Sequence, residues 1–146
     1  MSRFDDTQFM TRWIDAVNAD STFHDVTRWF DGSILLSDGA GQCWLKVYAG
    51  AVIDRLPVMP PLGYTFKVSA PLSAWDELVA GRTISDLMLG GRRRFNGPED
   101  FAGDPASAAG SFVIEGDVMT AHRVIAAIYA ITDHYAVVAR ELEAAA

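Results

Sequence analysis

The sequence predicts an α+β domain: a mainly antiparallel sheet of about five strands, helices packed on one face, and a long C-terminal helix. Three observations predict it. Apolar residues near both ends recur with the 3.6-residue period of amphipathic helices. Between them lies a block with the two-residue period of strands, punctuated by an Asp-Gly turn and a proline-rich connection. Strands and helices also come in blocks instead of strict alternation, which segregates the two kinds of element. A chain of 146 residues fits one domain, residues 1–146.

The first helix is carried by Phe9/Met10, Trp13/Ile14 and Val17, with Asp5 and Asp6 at the end where carboxylates favour the helix dipole. Residues 18–21 read as a break, and Phe23, Val26, Trp29 and Phe30 space a short second helix before Asp31-Gly32. The period then changes. Residues 33–37 and 42–48 read as strands joined at Asp38-Gly39, a pair suited to the positive φ of a hairpin. In the second strand Cys43, Leu45 and Val47 share one face, and Trp44, Lys46 and Tyr48 the other. Residues 50–56 make a third strand, and 57–63, with three prolines, a stiff connection. Tyr64, Phe66 and Val68 mark one face of a fourth strand ending at Ser69. Ser73 is the expected cap of a helix holding Trp75, Leu78 and Val79 and closed by Gly81. Residues 83–86 form a capping box with Asp86 in place of Glu, opening a short helix before Gly90-Gly91. Residues 92–110 are loop-like. Residues 111–115 make the last strand, and Asp117 caps a helix whose stripe runs through Val118, Ala121, Val124/Ile125, Ile128, Ile131/Thr132, Tyr135, Val138 and Leu142, with a kink expected near Thr132-Asp133.

Composition narrows the function. Nineteen acids against twelve bases give −7, which argues against nucleic acid as a partner. No apolar run is long enough to span a bilayer, and the polar start is unlike a signal peptide, so a cytoplasmic location is expected. Cys43 is the lone cysteine; mid-strand between apolar neighbours, it reads as a buried, inert thiol. His122 and His134 stand about three helical turns apart, too far to share a metal. No nucleophile elbow or phosphate loop is present, so neither a metal nor a cofactor is expected. The consecutive Arg92, Arg93 and Arg94 are the one unusual charge cluster, a candidate anion contact or a solvated loop.

Several segments resemble the sterol carrier protein type 2 (lipid-binding) superfamily, most strongly from about Tyr64 to Ile131. Phe66–Ser69 resembles the strand before that family's middle helix, Ala74–Gly81 that helix, and Leu87–Gly90 the short helix after it. Phe112–Asp117 resembles the closing strand and its Gly-Asp entry to the last helix, and Gln42–Gly50 one hairpin strand. The chain departs from the pattern in residues 92–110. As a divergent, bacterial-type, single-domain member, the chain is expected to hold a lipid, fatty-acyl or sterol-like ligand in an apolar cavity. Its wall would draw on Trp44, Tyr64, Phe66, Trp75, Met88, Phe95, Phe101, Met119, Ile125 and Tyr129, with Arg92–Arg94 contacting any anionic group. Two other readings stay open. One is a small isomerase- or cyclase-like enzyme on a cone-shaped α+β pocket, which requires the last thirty residues to lie in a sheet. The other is a non-catalytic subunit pairing with itself or another protein through its sheet, for which a homodimer is the simplest form.

Overall fold

A computed structural model describes residues 2–93 and 112–146. A 3-10 turn at Arg3–Asp5 leads into α1 (Thr7–Asn18) and α2 (Ser21–Thr27). Strands β1 (Gly32–Ser37), β2 (Gln42–Tyr48), β3 (Ala51–Leu56) and β4 (Phe66–Ser69) follow, then α3 (Leu72–Val79) and α4 (Ile84–Arg93). The chain ends in β5 (Val113–Gly116), α5 (Val118–Arg123) and α6 (Ile125–Ala145). The last thirty residues are almost wholly helical, as the sterol carrier resemblance implies and the cone-shaped alternative does not allow.

The sheet has the order β3-β2-β1-β4-β5. Its neighbours are antiparallel except β1 and β4, which run parallel, with Ile34 opposite Phe66 and Leu36 opposite Val68. The sheet is therefore mainly antiparallel, as expected, with one parallel pair that makes it mixed. The parallel pair follows from the connection of residues 57–65, which leaves the edge strand β3 and re-enters beyond β1 in the same direction.

The two faces of the sheet differ. Ile34, Leu36, Cys43, Leu45, Val47, Phe66 and Val68 are buried together against the helices. The helical layer is organised around α6, along which α1, α2 and α3 all pack. That central place explains why Ile128, Ile131, Thr132, Tyr135 and Val138 are all buried. Its break falls at Val124 (φ −108°, ψ 26°), which separates α5 from α6. Thr132 does not kink the helix; its hydroxyl donates to the carbonyls of Ile128 and Tyr129. On the opposite face Leu35 and Trp44 are also buried. The connection 57–65 meets this face at Trp44, whose indole N–H donates to the Gly63 carbonyl at 2.9 Å.

Local chemistry sets the turns and caps. The Asp38 carboxylate accepts from the N–H groups of Ala40 and Gly41 and from the Ser2 hydroxyl, closing the β1–β2 hairpin and tying down the N-terminus. Asp117 caps α5 through the Thr120 N–H, and Thr83 caps α4 through the Asp86 N–H, both as the sequence predicts. Ser73 does not cap α3; that helix starts at Leu72 behind Pro71, without a side-chain cap. Asp20, within the stretch read as a break, is the N-cap of α2, accepting from the Phe23 N–H. The β2–β3 turn puts Ala49 and Gly50 at positive φ, and a side chain at Gly50 would collide with His24.

Candidate functional site

The helical side of the interior is filled by aromatic rings. Trp75 lies 4.8 Å from Tyr135, 4.9 Å from Phe112 and 5.4 Å from Phe4, centroid to centroid. Trp13 joins this group through Phe4, Phe9 and Tyr135. Each indole N–H has a partner, Trp13 on the Ile131 carbonyl and Trp75 on the Ser37 carbonyl. Arg3 closes the group from outside. Its guanidinium donates to Asp76, Glu143 and the Tyr135 hydroxyl and lies over the Tyr135 ring. Burial opposes that charge, but Tyr135, Asp76 and Glu143 more than offset it and hold the guanidinium protonated.

The expected wall residues fall into four groups. Phe66 and Trp75 are fully buried in this interior, and Met88 and Ile125 pack against it. Tyr64 is half-buried, with its ring against Gly116. Trp44 belongs to the other face of the sheet. Met119 and Tyr129 are exposed, Met119 to 72%. Arg92 and Arg93 end α4, while Arg94, Phe95 and Phe101 lie outside the described residues.

The structure assembles a groove from other residues, with apolar side chains and a charged, hydroxyl-bearing rim. It runs between α1 and the edge strand β3. One half, of about 280 Å³, has Phe4, Met10 and Cys43 beneath it and Asp5, Thr7, Arg55, Leu56 and Pro57 around it. A second half of the same volume continues past Arg55 between Ile14, Val52 and Ile53, with Thr11, Asp15 and Asp54 at its rim. Arg55 stands opposite Leu45 in the register, so it points to the helical side and divides the two halves. Its guanidinium has no hydrogen bond or ion pair with another described residue. Periodicity identifies Met10 and Ile14 as apolar face residues. It gives no sign that Phe4, Arg55 and Pro57 meet them, because that meeting is made by the fold.

Reactive groups near the groove are subdued. Burial pushes the Cys43 thiol far up, reinforced by the Asp38 charge, so no thiolate forms at neutral pH. His134 contacts Asp20 at 2.7 Å. The Phe23 N–H and then His134 hold the Asp20 carboxyl below its ordinary range, so the pair clamps α2 to α6. Among the described residues no three His, Cys, Asp or Glu side chains converge as a metal site, and no helix is long and apolar enough to cross a membrane.

This arrangement of a 3-2-1-4-5 sheet covered by helices on one face recurs in solved structures. The crystal structure of sterol carrier protein 2 superposes with a TM-score of 0.60 over 88% of this chain and 94% of its own, at 16% identity. The fold is that of sterol carrier protein 2. The solution structure of a conserved hypothetical protein from Thermus thermophilus, itself described as possibly a sterol carrier protein, gives a TM-score of 0.59 over 90% of this chain and 87% of its own, also at 16% identity. No family model and no curated protein matches the sequence. The sterol carrier fold is thus carried here by a sequence only 16% identical to either of these proteins.

Proposed function

We propose that this chain binds a small hydrophobic ligand, of lipid, fatty-acyl or sterol type, as a carrier or sequestering module. The observation that carries the reading is a groove with apolar side chains at its base, opening beside α1 in a chain with the sterol carrier fold. Ligand pockets span about 300–1,000 Å³. Each half of the groove falls just short of that range, and the two halves joined enter it. Arg55 is the partition. With no side-chain partner among the described residues, it can swing aside at little cost and join the two halves into one trough. Phe66, Trp75, Met88 and Ile125, which belong to the interior away from this groove, remain proposed ligand contacts should that interior open, and Arg92–Arg94 the proposed contacts for an anionic group. The same reading places the chain in the cytoplasm with neither nucleic acid nor metal as partner.

Native mass spectrometry of the freshly purified protein, before and after organic extraction, tests for a resident ligand. Titration with a fluorescent polyene fatty acid then tests the groove. Thr7→Trp plugs the mouth from an exposed position and is expected to weaken uptake, whereas Arg55→Ala joins the halves and is expected to strengthen it. A protein without extractable mass and without saturable uptake of the probe would overturn the reading. Uptake indifferent to both substitutions would move the ligand elsewhere.

A further inference from the structure

We infer that Phe4 sets the size of ligand this chain admits: its ring is a stopper between the groove and the aromatic interior, restricting the groove to slim, single-chain amphiphiles and refusing a rigid fused-ring ligand. The inference rests on the reading of the groove as a lipid site. Among the described residues that line the groove, Phe4 alone belongs to the ring group of the interior. Its ring lies 5.8 Å from that of Trp13, 5.4 Å from Trp75 and 6.0 Å from Tyr135, centroid to centroid. Its neighbours in the floor, Met10 and Cys43, belong to α1 and β2, so beneath them lie a helix and the sheet itself. Beneath Phe4 lie side chains.

The residues on either side of Phe4 hold the stopper in place. Phe4 sits in the 3-10 turn Arg3–Asp5, and its N–H donates to the Ser2 hydroxyl oxygen at 3.1 Å. Ser2 in turn donates to the buried Asp38 of the β1–β2 hairpin. Arg3 donates to Asp76 on α3 and to Tyr135 and Glu143 on α6. The two neighbours are thus anchored to different elements, the hairpin on one side and the helices on the other. The bond to Asp38 is buried and that to Tyr135 partly so, where water competes least. A ring held from both sides stays put when a ligand arrives, so the space above it decides what the groove can take.

That space is long and shallow. Two halves of about 280 Å³ each lie end to end with Arg55 between them. A flexible hydrocarbon chain can bend past Arg55 and lie along both. A fused four-ring nucleus is broader and cannot bend, so it must find its volume in depth, and depth is what the Phe4 ring denies. The rings behind Phe4 are themselves pinned, the Trp13 indole N–H on the Ile131 carbonyl and the Trp75 indole N–H on the Ser37 carbonyl. With the Phe4 ring removed they do not readily collapse into the vacated space. The groove then gains an apolar recess of the kind that stays dry and takes up apolar ligands.

Titration with two fluorescent probes, the polyene fatty acid and a polyene sterol, tests the inference. The wild type is expected to prefer the fatty acid. Phe4→Ala is expected to bind the sterol about tenfold or more tighter than the wild type does, with its fatty acid affinity changed by less than that factor. Phe9→Leu is the control for general loosening: Phe9 belongs to the same ring group but does not line the groove, and its sterol affinity is expected to stay at the wild-type level. Near-ultraviolet circular dichroism checks the fold of Phe4→Ala; should it fail, Phe4→Val keeps more of the packing and carries the same expectation. Wild type binding the sterol as tightly as Phe4→Ala would overturn the inference. So would a folded Phe4→Ala that takes the fatty acid and gains nothing for the sterol, or an equal gain in Phe9→Leu. Failure of the carrier reading looks different, because the wild type then takes up neither probe; a sterol gain in Phe4→Ala would still uphold the stopper, and no gain would overturn both.

Discussion

Tyr135 makes the interior of this protein sensitive to alkali in a way that one substitution can isolate. Its side chain is fully buried at the centre of the aromatic group. Burial pushes its phenol from the ordinary 10.0 up to about 12, with the Arg3 hydrogen bond working in the opposite direction. The folded state therefore holds the phenolic proton more tightly than the unfolded chain does. Below pH 10 both states are protonated and the contribution to stability is fully present. Between pH 10 and about 12 the unfolded chain releases its proton first, and the fold loses about 3 kcal/mol. That is a large fraction of the ~5–15 kcal/mol typical of a domain. Urea unfolding across this range, followed by fluorescence, is expected to show the decline in the wild type. Tyr135→Phe removes the titrating group, at the cost of one hydrogen bond to Arg3, and is expected to flatten the decline while lowering stability by about 1 kcal/mol near neutrality. Tyrosinate absorbance gives an independent check, because the step that disappears in Tyr135→Phe is the ionisation of Tyr135. An equally steep loss in Tyr135→Phe would refute the reasoning, since another group would then be responsible.

Other contacts give equally direct outcomes. The Asn18 amide bonds both the N–H and the C=O of Val52 on the edge strand; Asn18→Ala is expected to cost about 1–2 kcal/mol in urea melts and to raise light scattering on heating, as the bared edge recruits other chains. Asp20 has its carboxyl held below the ordinary 3.8 by the Phe23 N–H and His134, so its contribution is present above that pH and lost as pH falls below it. Asp20→Asn is expected to lower stability at neutral pH and to shallow the acid limb of the stability profile; an unchanged acid limb would show that other carboxyls govern it. Cys43 is buried beneath the groove and its thiol is expected to react with an aromatic disulfide reagent roughly a thousandfold or more slower than in urea, because reaction requires an opening comparable to unfolding. Fast labelling under native conditions would show that the groove opens to Cys43 far more readily than the packing allows.

What the sequence discloses is divided by the range over which each signal acts. Patterns completed within a few residues were legible. The alternation of β2 separates Cys43, Leu45 and Val47 from Trp44 as observed, the α1 stripe of Phe9, Met10, Trp13 and Val17 is the buried set, and Asp117 and Thr83 cap the helices they precede. Asp20 shows where local reading becomes ambiguous. An acid after a helix marks a break and an acid before a helix marks a cap, and here it does both. The kink belonged to Val124 and not Thr132, because a threonine inside a helix can satisfy its hydroxyl on carbonyls of the preceding turn. The parallel β1–β4 pair was hidden, since strand direction depends on the path of residues 57–65 and not on the strands' own composition. The site was the least legible part. Composition says that Trp75, Trp44 and Met119 are apolar, but one lies at the centre of the helical side, one beside the connection on the far face, and one on the surface. The groove joins residues about fifty positions apart in the chain, Phe4 with Leu56 and Met10 with Arg55. A cation among apolar residues at the end of a strand, Arg55 in β3, carries the clue to the groove. That clue gains meaning only once α1 is seen to lie along β3.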